Sequence, residues 1–403
     1  MLAAVAAACL LLAASSVQAF KRTPIELGPA DGARPSAVVD AAGTAFVTWG
    51  IAEDLIGTCV LPRGARACAA TATLSLDARA SRPILLRRPQ DGALFIVVGR
   101  DDLASDPDES VWAFSSADGV TWAGPVPIGL GLGGKLDAAV LTPDGLSADL
   151  LQADTGVSLY QRAPLAGPPA TGLLNLANRP DGSVGAWDQP GDLLTTRRGR
   201  TLALLGSPAD GFAFRVLTGP DPFADGSWTP FPARPVTRTA EDPRGAGGRR
   251  GTFVMYARNP LEQIRGAAPQ VVRRLRGRRW ARPRGVLYEI ESNTDRSALA
   301  QDARGQLHAA AVGYDNRGRR ECIAYARTRT GRWFSRAVSL TQANRDADRP
   351  SRPDLAVGPT GRGVVAWSTT GPPSVARVQR LAAGRGVTKP RPRSRRGCPR
   401  FPR

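Results

Sequence analysis

Seven glycines, Gly43, Gly92, Gly145, Gly199, Gly251, Gly305 and Gly361, stand at intervals of 49, 53, 54, 52, 54 and 56 residues through this 403-residue chain. Each is followed by a short apolar run, such as Ala45-Phe46-Val47-Thr48-Trp49 or Gly363-Val364-Val365-Ala366-Trp367, and most are preceded by one. Two apolar runs flanking a turn glycine read as a β-hairpin. A second hairpin follows 21 to 27 residues later, around Gly64, Gly119, Gly167, Gly226, Gly277, Gly331 and, in the last repeat, Gly384 or Gly386. A period of this length, kept up along the chain, means a repeat architecture rather than a string of unrelated domains.

Two hairpins per period make four strands per unit. Units of four short strands in radial repetition close on themselves without long exposed edges, so the expected fold is an all-β propeller of seven four-stranded blades. Six blades is the alternative if the weak copy at Ser374–Pro390 forms no strands, and a two-domain β-sandwich is the competing fold. With 44 Gly and 34 Pro the chain is rich in turns, and no stretch keeps a helical period.

The first nineteen residues are uncharged, carry an apolar stretch from Leu2 to Ala14 and end Val17-Gln18-Ala19, the small-x-small pattern of a signal peptide, though without a positive leading segment. The expected organisation is signal peptide 1–19, propeller 20–383 and a basic, disordered Pro/Arg tail 384–403. No later segment has the apolar length of a membrane helix, so a secreted monomer is expected. Net charge is +19, but the tail contributes eight positive residues and 273–284 another seven, neither with an acid. Lysine occurs only at 21, 135 and 389, leaving 51 arginines. That bias is read as coding composition; basic segments without interleaved stacking aromatics argue against nucleic acid as the partner.

The segment Ser116-Ala117-Asp118-Gly119-Val120-Thr121-Trp122 resembles the Asp-box, S-x-D-x-G-x-x-W, of sialidases and other BNR-repeat propellers, one residue short of the usual spacing. Asp225-Gly226-Ser227-Trp228 is a reduced copy, while the turns ending at Trp280 and Trp333 lack the Asp. The resemblance implies a structural role for Ser116, Asp118, Gly119 and Trp122, between third and fourth strands on the face away from the ligand. It then puts the ligand face on the loops joining second to third strands and fourth strands to the next blade. Those loops carry Glu53, Asp54, Asp101, Asp102, Asp106, Asp108, Glu109, Asp154, Asp210, Glu262 and Asp315, with Arg34, Arg82, Arg296, Arg352, Glu289 and Glu291 before or around first strands. Ligand-face candidates are Arg34, Arg82, Asp101, Asp102, Tyr314 and Asp315, and the expected partner is a glycan or an extracellular protein.

Catalysis is left open. Sialidases use a tyrosine nucleophile, acidic partners and three arginines whose planar forks suit a sugar carboxylate. Tyr256, Tyr288 and Tyr314 lie near loop ends, and Phe20-Lys21-Arg22-Thr23-Pro24 is a poor match to the family's F/Y-R-I-P, so no catalytic set is carried over. An exo-acting glycoside hydrolase of sialidase type is the alternative to a binding protein. No cofactor or metal is expected: the acidic loop 101–109 lacks a calcium-loop pattern, and His308, the only histidine, falls within a strand-like run and lacks the partners of a zinc site or triad. Gly129–Leu136 mimics G-x-G-x-x-G and a P-loop, but a turn at Pro143-Asp144-Gly145 leaves no room for the helix both require, so it reads as an inter-blade loop.

Four cysteines follow the signal segment, consistent with an oxidising compartment. A two-residue turn at Arg63-Gly64 puts Cys59 opposite Cys68 as a non-hydrogen-bonded pair with Cα atoms about 4.5 Å apart, within disulfide range. A Cys59–Cys68 bond is therefore expected. Cys322 and Cys398 could form a second pair, or Cys398 could stay free.

Overall fold

The computed structural model describes residues 23–383 except 102–109, 131–135, 155–156, 177–188, 197, 208–210, 218–220, 225–226, 231–239, 259–267, 277–278, 290–296, 316–319, 330–333, 336 and 342–349. The expected signal segment, the tail, Asp102, Arg296, Gly226, Gly277, Gly331, Trp333 and Cys398 lie outside the described residues.

The chain folds into seven antiparallel sheets of four or five strands. Their innermost strands, Ser36–Val39, Ile84–Arg87, Leu136–Leu141, Gln189–Thr195, Ala240–Ala246, Ser297–Gln301 and Pro350–Val357, each touch the next, and the last touches the first. That closed ring is a seven-bladed propeller. All seven marker glycines have positive φ, between 71° and 106°, and each turns the first strand of a blade into its second. Only glycine takes this conformation without a steric penalty.

The apolar runs are continuous because both faces of each blade are covered. In blade 2, Leu94, Ile96 and Val98 point into the core shared with blade 1, while Phe95 and Val97 point into the core shared with blade 3. Seven such cores are found among the described residues, one at every blade junction, including Phe253, Met255 and Leu307 between blades 5 and 6 and Trp49, Val364 and Val378 between blades 7 and 1.

Two local expectations are corrected. The seventh blade takes its fourth strand from the start of the chain: Ile25–Pro29 pairs with Val375–Leu381, where a hairpin at Gly384 or Gly386 was expected. An N-terminal strand that completes the last blade joins the chain's two ends by backbone hydrogen bonds. Cys59 and Cys68 are joined, with Cα atoms 5.5 Å apart, but not as cross-strand partners. The turn closes at Pro62–Ala65 as expected, yet Ala69 then donates to Val60 and the ladder resumes with Cys59 opposite Thr71. The extra residues 66–69 form an irregular loop that the disulfide fastens to the third strand. Cys322, buried on the third strand of blade 6, is also disulfide-bonded, to a partner outside the described residues. With 59 and 68 joined, the sequence leaves Cys9 and Cys398 as its candidates.

Candidate functional site: the axial cavity

A proline precedes the axial segment of five first strands, at Pro35, Pro83, Pro190, Pro243 and Pro353. Proline has no N–H to give a ladder, so it is tolerated where one edge of the strand faces the open axis. The pairing slips there: the register between first and second strands shifts between Gln189 and Asp192, between Glu241 and Arg244, and between Ser351 and Asp354. In blade 3 it slips between Leu136 and Ala138. A bulge of this kind re-aims the side chains beside it. Here it brings polar residues to the axis.

The result is a cavity of about 210 Å³, its exposed lining mostly polar, formed by Arg34, Arg82, Asp137, Asp192, Arg244 and Asp354 from six of the seven blades, with Leu85, Leu193 and Leu299 among the apolar residues between them. Several of these groups also stitch neighbouring blades. Asp354 accepts from the Ala37 amide (2.9 Å) and pairs with Arg34 at 3.4 Å. Asp192 accepts from the Gly245 amide (2.8 Å), and Ser36 accepts from the Leu85 amide (3.0 Å). Arg34 donates to the Ser297 carbonyl, Arg82 to that of Asp137 and Arg244 to that of Gly191, at 3.2, 3.0 and 3.1 Å.

Burial pushes the Asp192 carboxyl above its ordinary range, against the pull of Arg244, the Gly245 amide and, at longer reach, Arg34 and Arg82. The three arginines therefore share one field centred on Asp192. Planar guanidinium forks and carboxylates around a small polar-lined space can orient a polar ligand by directional hydrogen bonds.

Of the residues singled out from sequence, Arg34 and Arg82 line this cavity. Arg352 does not: it is exposed, has φ 49°, and donates to the Gly32 carbonyl at 3.2 Å. Asp101 ends the second strand of blade 2 opposite Arg79, and Tyr314 and Asp315 end that of blade 6 opposite Glu321 and Arg320. Asp137, Asp192, Arg244 and Asp354 were not singled out. A signal existed: 36, 192, 244 and 354 each lie seven residues before a turn glycine, at 43, 199, 251 and 361.

Residues 116–122 join the third and fourth strands of blade 2, at the end away from the cavity. Asp118 accepts from the amides of Val120 (2.8 Å) and Thr121 (2.9 Å), which hold its carboxyl below the usual range. Ser116 accepts from the Gly119 amide, Gly119 has φ 78°, and the Trp122 indole donates back to the Gly119 carbonyl while packing on the core between blades 1 and 2. His308 is fully buried, its Nδ1 2.6 Å from the Tyr325 hydroxyl and its Nε2 3.3 Å from the Gln306 amide nitrogen. Burial lowers its pKa, keeping it neutral in the core. Among the described residues no three His, Cys, Asp or Glu side chains gather as a metal site. Leu136 opens a strand rather than the helix a phosphate loop needs.

Compared with known proteins, the chain matches no family model and no curated protein sequence. Solved structures do match. An α-L-arabinanase from Penicillium chrysogenum superposes with a TM-score of 0.50 at 12% identity, covering 91% of this chain and 99% of the arabinanase. The leech intramolecular trans-sialidase gives 0.48 at 10% identity, over 90% and 70%, and that of Ruminococcus gnavus 0.45 at 11%, over 89% and 96%. What the arabinanase shares with this chain is the β-propeller fold. No helix among the described residues of this propeller is long and apolar enough to cross a membrane.

Proposed function

We propose that this is an exported carbohydrate-binding propeller that takes a saccharide, or the sugar end of a larger partner, into its axial cavity. The observation that carries the reading is the convergence of Arg34, Arg82 and Arg244 with Asp137, Asp192 and Asp354 on one small polar-lined cavity. A sugar presents hydroxyls that both donate and accept, and an acidic sugar adds a carboxylate, so a mixed ring of forks and carboxylates suits it. The volume, about 210 Å³, is below the roughly 300 Å³ at which sites for drug-sized ligands begin, and fits a single terminal unit entered end-on. The arabinanase of similar fold was crystallised with arabinobiose, which supports a saccharide as ligand class. The Cys59–Cys68 bond supports export.

A second reading, an exo-acting glycoside hydrolase, is favoured by one observation. Glycoside hydrolysis works with a proton-holding carboxyl and a second carboxylate, and Asp192, raised by burial, shares its cavity with Asp137 and Asp354. Fluorogenic sialosides and arabinosides offered to the wild type and Asp192→Asn separate the readings. Binding without turnover supports the first; turnover lost in Asp192→Asn with binding kept supports the second; neither binding nor turnover would sink both.

A further inference from the structure

The face opposite the axial cavity carries a different chemistry. It is built from the turns between first and second strands and between third and fourth strands, a strand length of about 20 Å from the cavity end. In blades 1 to 3 the first set of turns holds Asp40, Asp144 and the ion-paired Arg88 and Asp91. In blades 4 to 7 it holds Arg198, Arg200, Arg249, Arg250, Arg304 and Arg362, with Asp302 the single acid among the described residues. Asp302 is buried and accepts from the Arg304 and Gln306 amides, and Asp221, in the third-to-fourth turn of blade 4, is exposed; the six arginines outnumber these two acids. None of the six arginines has a carboxylate partner among the described residues.

These turns form a continuous surface. A Cβ on Gly305 would meet the Arg250 side chain, and one on Gly361 would meet Asp302, so each turn lies against the turn of the blade before it. Beside the arc, in blades 2 and 3, the same face holds out two aliphatic tips, Val120 at 47% exposure and Leu146 at 64%.

We propose that this turn face docks on an anionic lipid surface, the arginine arc of blades 4 to 7 lying on the headgroups and Leu146 and Val120 entering the boundary between headgroups and acyl chains. Basic side chains are drawn to the negative potential of anionic lipid, and adjacent apolar tips add an attraction that salt does not screen. A soluble polyanion would use the cations alone, whereas exposed apolar side chains stand beside and within this arc: Leu146, Val120 and, in the third-to-fourth turn of blade 4, Phe223 at 38%. Such docking would point the axial cavity away from the membrane.

The test is co-sedimentation of the full chain with vesicles of phosphatidylcholine alone or with about one-third phosphatidylglycerol, in low and high salt. Two folded variants, checked by thermal melting, are compared: Arg198→Gln/Arg200→Gln/Arg249→Gln/Arg304→Gln, whose four side chains are exposed, and Leu146→Ser. The expected result is binding to the anionic vesicles only, weakened at least tenfold by the quadruple change and severalfold by Leu146→Ser, with the Leu146 effect persisting in high salt. No binding to the anionic vesicles overturns the proposal. So does binding that survives the quadruple change, which would assign it to the basic tail. Binding to heparin or duplex DNA, unchanged in Leu146→Ser and without vesicle binding, replaces the lipid with a soluble polyanion.

Discussion

At Asp192 burial outweighs the attraction of three arginines, and that balance has a measurable sign. A carboxyl whose pKa is raised on folding holds its proton more tightly in the folded chain than in the unfolded one. Stability is then greatest below the unfolded value and falls as pH rises through the folded one. Asn at this position still accepts from the Gly245 amide and has no charge to desolvate. Asp192→Asn should therefore melt higher than the wild type at pH 7, with the difference closing toward pH 3; a lower melting temperature at pH 7 would show that the arginines win. Asp149 is the contrasting case. It is fully buried between blades 3 and 4, yet accepts from Arg162 (2.7 and 3.2 Å), Tyr160 (2.6 Å) and Thr201 (2.6 Å). Removing one member of such a network strands the others, so Asp149→Ala should cost about 3 kcal/mol in denaturant unfolding, the low end of the range for buried pairs, because the Arg162 side chain is one-quarter exposed.

Among the elements, the seam between blades 7 and 1 is fastened by backbone pairing and by side chains together. Ile25–Pro29 completes blade 7, and Arg380 of that blade reaches across to the carbonyls of Leu61, Pro62 and Ala65 in the loop that the Cys59–Cys68 bond closes. Replacing both cysteines by Ser should lower stability by about 2–3 kcal/mol, as expected for so short a loop, without changing the blade count. Deleting residues 23–29 leaves Val375–Leu381 as a bare edge and should abolish cooperative unfolding, whereas truncation after Ala383 leaves all seven sheets their strands. The disulfide is legible in the sequence but its register is not, because strict hairpin counting has no room for residues 66–69. The last blade's fourth strand is not legible, because a strand borrowed from the other end of the chain leaves no local turn signal. The first hairpins were legible for a physical reason: each needs positive φ at one residue, and glycine supplied it every time.

In the whole molecule, charge is sorted by face. Axial residues bring both signs together on one end, and the turn arginines of blades 4 to 7 make the other end cationic. Arg34 and Arg82 were visible in the sequence because they stand just before first strands. Asp137, Asp192, Arg244 and Asp354 are hidden in the sequence because they stand within strand-like runs rather than loops, and bulges at the axis turn residues within the first strands into cavity lining. The seven-blade closure supplies that axis; the prolines and bulges supply its chemistry. Whether a saccharide enters the axial cavity, as proposed, is read from glycan-array binding of the full chain beside Arg82→Gln. A defined set of retained glycans is expected, its signal falling at least tenfold in the variant while circular dichroism shows the variant folded; retention identical in the two proteins, or none at all, would rule a saccharide out of this cavity.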